Sequence, residues 1–220
     1  MSPGGQTGRP AATVFTGRLR LEPAGPANVP DLWLVHSDSE VACWYGDSKP
    51  TLEQTERQAE LMGRSWRSYG VHKWIAYDRS TGETVGRGGL SPTPADDDWG
   101  QIYAFLPAEP WVHATHKAPG LPAVHACWAE IGWALRREFW GRGYASEIGR
   151  AGLAYAFDVL GMQAVVSCAV RHNVRSLLVM ERLGMRHAGE IRSRGLVQGT
   201  EGEQDNAPFI VYIMLRQHWG

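Results

Sequence analysis

Between Trp128 and Met185 the chain runs in the order strand, glycine turn, helix, strand, short helix, an alternation that confines it to an α/β architecture. "WAEIGWALRREFW" (128–140) reads as the first strand of this run. A helix follows from Gly143 to about Leu160, because Tyr144, Ile148, Ala151, Tyr155 and Val159 recur at three- and four-residue intervals and Gly161 is placed to end it. "MQAVVSCAV" is a β-branched run suited to a buried strand. Asn173 is placed to cap a shorter helix, with Val174, Leu177, Leu178 and Glu181 on one side and Gly184 as its stop. In front of the longer helix, "REFWGRGYASE" sets Gly141 and Gly143 one residue apart. The first turn of a helix leaves N–H groups without carbonyl partners and carries the positive end of the peptide dipoles, so such a turn suits an anion, and a phosphate fits it.

The remaining segments predict one domain over residues 14–220. Residues 1–13 are rich in Gly, Pro and Thr without apolar periodicity and read as a disordered tail. "TGRLRLEP" (16–23) alternates as a first strand. Helices are expected from about Ala27 to Ser37 and from Thr51 to Tyr69, the second opened by Pro50-Thr51 and the early carboxylates Glu53 and Glu56 and ended by Gly70. "VHKWIAYDRSTGETVGRGGLS" forms a hairpin around Ser80-Thr81-Gly82. Residues 91–127 hold six of the 13 prolines and read as an insertion, a lid or a disordered segment. Two strands close the chain, near His187 to Ser193 and at "PFIVYIML", and no internal repeat is evident.

With 22 Lys+Arg against 23 Asp+Glu, there is no basic excess for nucleic-acid binding. No segment has the length and apolarity of a signal peptide or membrane span, and three widely spaced cysteines are not a disulfide framework. The expectation is a soluble cytoplasmic protein that binds neither nucleic acid nor membrane.

From Glu130 to Met185 the sequence closely resembles the GNAT superfamily of N-acetyltransferases, in its RimJ/RimL-like branch. The likeness rests on "EIGW", "WGRGYASE", Asn173-x-x-Ser176 and "ERLGM", and extends to "TGRLRLEP" and "TGETVGRGGL". The superfamily signature Q/R-x-x-G-x-G/A falls on Trp140, Gly143 and Ala145, with Trp140 in place of Gln or Arg. The resemblance implies a mixed, mostly antiparallel, seven-stranded sheet with helices on both faces and a splay between the fourth and fifth strands. It also implies acetyl-CoA as cofactor. Gly141, Arg142, Gly143, Tyr144 and Ala145 would wrap the coenzyme A pyrophosphate, and Ala134, Leu135, Arg136 and Arg137 would hold the pantetheine arm along the fourth strand. An N–H near Ala134 or Leu135 would stabilise the developing oxyanion, a contribution commonly worth about 3 kcal/mol.

Acyl transfer to an amine requires a proton acceptor, since alkyl amines are mostly protonated near neutrality. The resemblance puts Glu130 in that role, and a half-buried carboxylate suits it; an ion pair with Arg136 or Arg137 is the structural alternative. Many relatives protonate the leaving thiolate with a tyrosine where this chain has Met180, so Ser176 is the substitute, with Asn173 holding the pantetheine or the helix end. Cys127 and Cys168 lack an activating base, which favours direct attack in a ternary complex. His113, His116, His125 and Cys127 match no zinc spacing, and no metal is expected. Trp99 and Trp111 of the acidic insertion could meet a cationic acceptor, which is a protein N-terminus or a small-molecule amine. A longer donor such as succinyl-CoA, or a non-catalytic coenzyme A-binding module, are the rival readings, and a homodimer is allowed.

Overall fold

The computed structural model describes residues 13–44, 49–97 and 99–220, so the tail assigned to residues 1–13 lies, except for Thr13, outside the described residues. The N-terminal half supplies β1 (Val14–Phe15), β2 (Leu19–Pro23), α1 (Val29–His36), α2 (Ser39–Ala42), α3 (Leu52–Tyr69), β3 (Lys73–Asp78) and β4 (Thr84–Ser91). The expected opening at Thr51 is the cap of α3. Thr51 and Gln54 exchange side-chain-to-backbone hydrogen bonds of 3.2 and 2.7 Å, and Gly70 ends the helix at φ 68°.

The remaining elements are α4 (Gly100–Tyr103), β5 (Thr115–His116), β6 (Val124–His125), β7 (Trp128–Leu135), α5 (Tyr144–Ala154), β8 (Ala164–Val170), α6 (Val174–Arg182), β9 (Arg186–Leu196) and β10 (Glu203–Leu215). α5 is shorter than its apolar pattern suggests. A π-helical turn at Tyr155–Val159 widens the spacing, which leaves Val159 40% exposed. The shared side of α6 faces outward at Val174 and Leu178, while Val179 and Met180 are buried.

The main sheet has the order β1-β2-β3-β4-β7-β8-β10-β9, eight strands where seven were expected, the extra one being the two-residue β1. Every pairing is antiparallel except β7 with β8. Neighbouring residues of a strand point to opposite faces, so Trp74 and Ile75 assign the two cores. Trp74 packs with Ile131 and Ile148 of α5, and Ile75 packs with Leu32 of α1 and Ala59 and Met62 of α3. α5 lies so close to β4 that a Cβ at Gly88 would stand 2.6 Å from Ile148 Cγ2.

The 91–127 insertion is folded. Ile102, Leu106 and Val112 pack on Trp128, Val166, Val211 and Ile213, the sheet face opposite α5. Trp128 Nε1 donates to Val112 O at 2.9 Å, and Tyr69 Oη donates to Pro122 O at 2.6 Å. Apolar burial therefore holds a segment whose prolines and acidic residues hide its periodicity.

Candidate functional site

β7 and β8 pair only from Trp128↔Ala164 to Glu130↔Val166. Beyond Glu130, β7 stays in register with β4 as far as Leu135, and β8 stays with β10 as far as Val170. Each strand follows its outer partner, the two part, and Ser167 Oγ crosses the start of the fork to donate to Ile131 O at 2.9 Å. A cavity of about 790 Å³ runs through this opening.

Arg136 N donates to Val85 O at 3.0 Å. In an antiparallel ladder residues alternate in facing the partner, so the main-chain groups of Ala134 engage β4, while those of Ile131, Trp133 and Leu135 face the fork. Of the strand positions expected to meet a pantetheine, Ala134 and Leu135 both line the cavity, and Leu135 is the one whose main chain turns toward it. Arg136 does not, because its carbonyl also accepts from Phe139 N at 3.0 Å. Trp133 lines the cavity and was missed, since strand parity depends on a register set by β4. The Arg136 guanidinium pairs with Glu138 and donates to Thr84 O at 3.1 Å. Arg137 lies 5.0 Å from the Trp140 ring and 3.9 Å from Glu40. Neither is near enough to Glu130 to ion-pair with it, which overturns the structural alternative for that carboxylate.

Gly141 and Gly143 adopt φ of 75° and 80°, the left-handed region that disfavours side chains. Gly143 opens α5 without a side-chain cap, and the first backbone bond that closes on it comes from Glu147 N at 3.1 Å. The amides of Tyr144, Ala145 and Ser146 are thus without helical acceptors, and these residues line the cavity with Gly141 and Gly143. Arg142 turns its guanidinium toward Phe139, 5.6 Å from the ring centre, and its carbonyl accepts from Arg18 Nη1 at 2.8 Å.

Glu147 braces this turn from below. It accepts from Thr16 Oγ1 at 2.5 Å, from Arg18 N at 2.8 Å and from Arg18 Nε at 2.7 Å. Burial pushes its carboxyl up, but these hydrogen bonds and the Arg18 charge outweigh it and hold the group below the ordinary carboxylate range. A depressed folded value means that the stabilisation is present above the unfolded value and is lost as pH falls through the folded one. Glu147→Gln should therefore flatten the acid limb of stability, read as thermal midpoint against pH, with little change in slope at neutral pH.

On the other face, Glu130 lines the cavity half-buried, beside Lys73, His72, Arg87 and Cys168. Arg87 Nε donates to His36 Nε2 at 2.9 Å. Burial, and then Arg87, press His36 down to about 3; burial, Lys73 and Arg87 do the same to His72. Burial pushes the Lys73 amine down to about 7, with Glu130 opposing and Arg87 assisting. Lys73 escaped the sequence analysis because a single lysine in an apolar strand belongs to no motif. The Cys127 and Cys168 thiols are pushed up, both by burial and Cys168 also by Glu130.

Asn173 and Ser176 both line the cavity, and Asn173 Oδ1 accepts from Ser176 N at 3.2 Å, the expected helix cap. Met180 stands in the wall, 1% exposed. α3 contributes Gln58 and Met62 to the lining, whereas none of the described residues 92–127 do so. Trp99 packs against the insertion's own core, donating to Pro94 O at 2.6 Å and meeting Trp128 edge-on, outside the cavity lining. His125 sits between Thr93 and Tyr103 in the same core. Among the described residues, no three His, Cys, Asp or Glu side chains are grouped to hold a metal ion, and no helix is long and apolar enough to cross a membrane.

Residues 18–186 match the family described as acetyltransferase (GNAT) domain. YkkB of Bacillus subtilis is 28% identical over 81% of this chain and 88% of its own. The FsC-acetyl coenzyme A-N(2)-transacetylase of Aspergillus fumigatus is 27% identical over 80% of this chain and 65% of its own. In fold, the chain is similar to the ribosomal-protein-S5-alanine acetyltransferase of Vibrio fischeri, with a TM-score of 0.67, 11% identity and coverage of 95% and 99% of the two chains. It is also similar to the spermidine N-acetyltransferase of Vibrio cholerae in complex with CoA and spermine, with a TM-score of 0.65, 11% identity and coverage of 92% and 98%.

Proposed function

We propose, from the premise that this chain belongs to the GNAT family of acetyltransferases, that it acetylates a primary amine by direct attack within a ternary complex. Membership makes it an N-acetyltransferase with acetyl-CoA as the donor. The observation that carries the finer reading is the fork between β7 and β8, with the uncapped start of α5 at its mouth. Three unpaired amides at a positive helix end suit a diphosphate, and the two glycines keep side chains out of its way. The strand edge at Trp133 and Leu135 suits an extended amide-bearing arm, which would add to β7 as an extra strand.

Glu130 takes the acceptor's proton in this reading, and an amide at Leu135 or Trp133 holds the developing oxyanion. Ser176 donates to the leaving thiolate, with Asn173 fixing the helix end beneath it. Direct attack is supported by Cys127 and Cys168, whose raised thiols are poor nucleophiles. The RimJ/RimL-like branch is supported by the run from Glu130 to Met185 and by the fold shared with the Vibrio fischeri enzyme. Protein N-termini and small amines, polyamines included, are the acceptor classes, selected by α3 rather than by the insertion. A reducing cytoplasm accords with three free cysteines.

Release of free thiol from acetyl-CoA against a panel of amines tests this. Turnover with at least one amine is expected. Stabilisation by the cofactor with no turnover for any amine would favour a binding module, and preference for succinyl-CoA a longer-chain transferase.

A further inference from the structure

We propose that Lys73 is a second proton-accepting residue of the acceptor site, set against Glu130 on the same acceptor nitrogen; this rests on the acetyl-transfer reading. Lys73 begins β3, two strands away from the fork. Its side chain crosses β4, where Nζ donates to Gly89 O at 2.7 Å, and reaches Gly132 of β7. A Cβ on Gly132 would stand 3.5 Å from Nζ, so a side chain larger than a methyl group would contest the place the amine holds. Gly132 and Glu130 share one face of β7. The Lys73 Nζ and the Glu130 carboxylate therefore approach one space from two sides, at the point where β7 leaves β8.

Lys73 is 5% exposed, and among the described residues neither it nor Glu130 belongs to an ion pair. Both groups line the same cavity, and an acceptor nitrogen entering it would come between them. A buried ammonium without an anionic partner is costly, and the amine relieves that cost by giving up its proton near neutrality. The charged groups around it act in opposite senses. Arg87 of β4 disfavours a further positive charge, Glu130 of β7 favours one, His72 beside it is held neutral, and the Cys168 thiol of β8 stays protonated. α3 brings Gln58 and Met62, which carry no charge.

With one N–H on Gly89 O, the neutral amine keeps a lone pair for a proton. An alkylammonium acceptor gives one proton to Lys73 Nζ, forming an N–H bond there. The freed nitrogen forms the C–N bond to the thioester carbon and passes its surplus proton to Glu130. The C–S bond breaks with its electron pair on sulfur, Ser176 gives its hydroxyl proton to that thiolate, the proton on Glu130 restores the hydroxyl by way of water, and Lys73 returns its proton to water.

The Lys73 Cε resonance, followed by NMR in the full-length protein without donor or acceptor, should titrate near 7 and should move to lower pH in Glu130→Gln, because that carboxylate favours the charged amine. In turnover, the rate should rise with pH through the same region. Lys73→Met should lower kcat about 10²-fold, flatten that limb and leave KM for acetyl-CoA unchanged, and Lys73→Arg, which keeps a charge but accepts no proton, should not restore the rate. A Lys73 that titrates in the ordinary lysine range in a working enzyme, or an arginine variant as active as the original, overturns the proposal alone. No turnover with any amine would overturn the acetyl-transfer reading, and this proposal with it.

Discussion

Gly143→Val should raise the dissociation constant for acetyl-CoA about 10³-fold, because the substitution acts on both requirements of the anion site. At φ 80° a β-branched side chain costs about 1–2 kcal/mol, so the turn either carries that strain or relaxes away from the geometry that presents the Tyr144, Ala145 and Ser146 amides. Hydrogen bonds to a charged group contribute about 1.5–3 kcal/mol each, and losing two of them corresponds to roughly 10²- to 10⁴-fold in affinity. The fold itself should survive, since a Cβ at this exposed position meets nothing nearer than Arg18 Nη2 at 3.5 Å. Calorimetry reads the affinity, and thermal unfolding shows whether the scaffold is intact. An unchanged dissociation constant in a folded variant would remove the glycine turn as the diphosphate cradle.

Glu130→Gln should lower kcat about 10³-fold, within the range associated with a positioned proton acceptor, while the dissociation constant for acetyl-CoA stays near its original value. The amide keeps the carboxylate's shape but neither its charge nor its basicity. Glu130 also lies on the last residue pair before β7 and β8 part, on the face opposite α5 and away from the glycine turn, so cofactor binding should not depend on it. A pH–rate profile that keeps its original shape, or a rate within a fewfold of the original, would show that the carboxylate serves the sheet rather than the reaction.

The glycine turn and the Asn173 cap were legible in the sequence because their determinants are local. Gly141 and Gly143 permit positive φ without reference to any distant residue, and Asn173 caps its own helix. On the other face of the cavity, Glu130 is the residue that the sequence singled out. Lys73 stands 57 positions earlier in the chain and comes close only because β4 intervenes in the sheet and Gly132 leaves space for its amine. Arg136 and Arg137 were misread for a related reason. They were placed by position along the fourth strand, but the register committed the Arg136 amide to Val85, and a turn carried Arg137 toward Glu40 and Trp140. Trp99 looked accessible in a polar segment until Trp128 and Pro94 absorbed it.

By itself, then, the sequence determined the order of elements, the left-handed glycine turn and the capped helices, since these depend on sterics and hydrogen bonds within a few residues. Tertiary structure alone decided where the sheet forks, which strand amides face the opening, that the insertion lies outside the cavity, and that a buried lysine lines the same cavity as Glu130. Those outcomes come from pairing and burial between segments far apart in the chain, where register and the exclusion of water, rather than local preference, choose the neighbours.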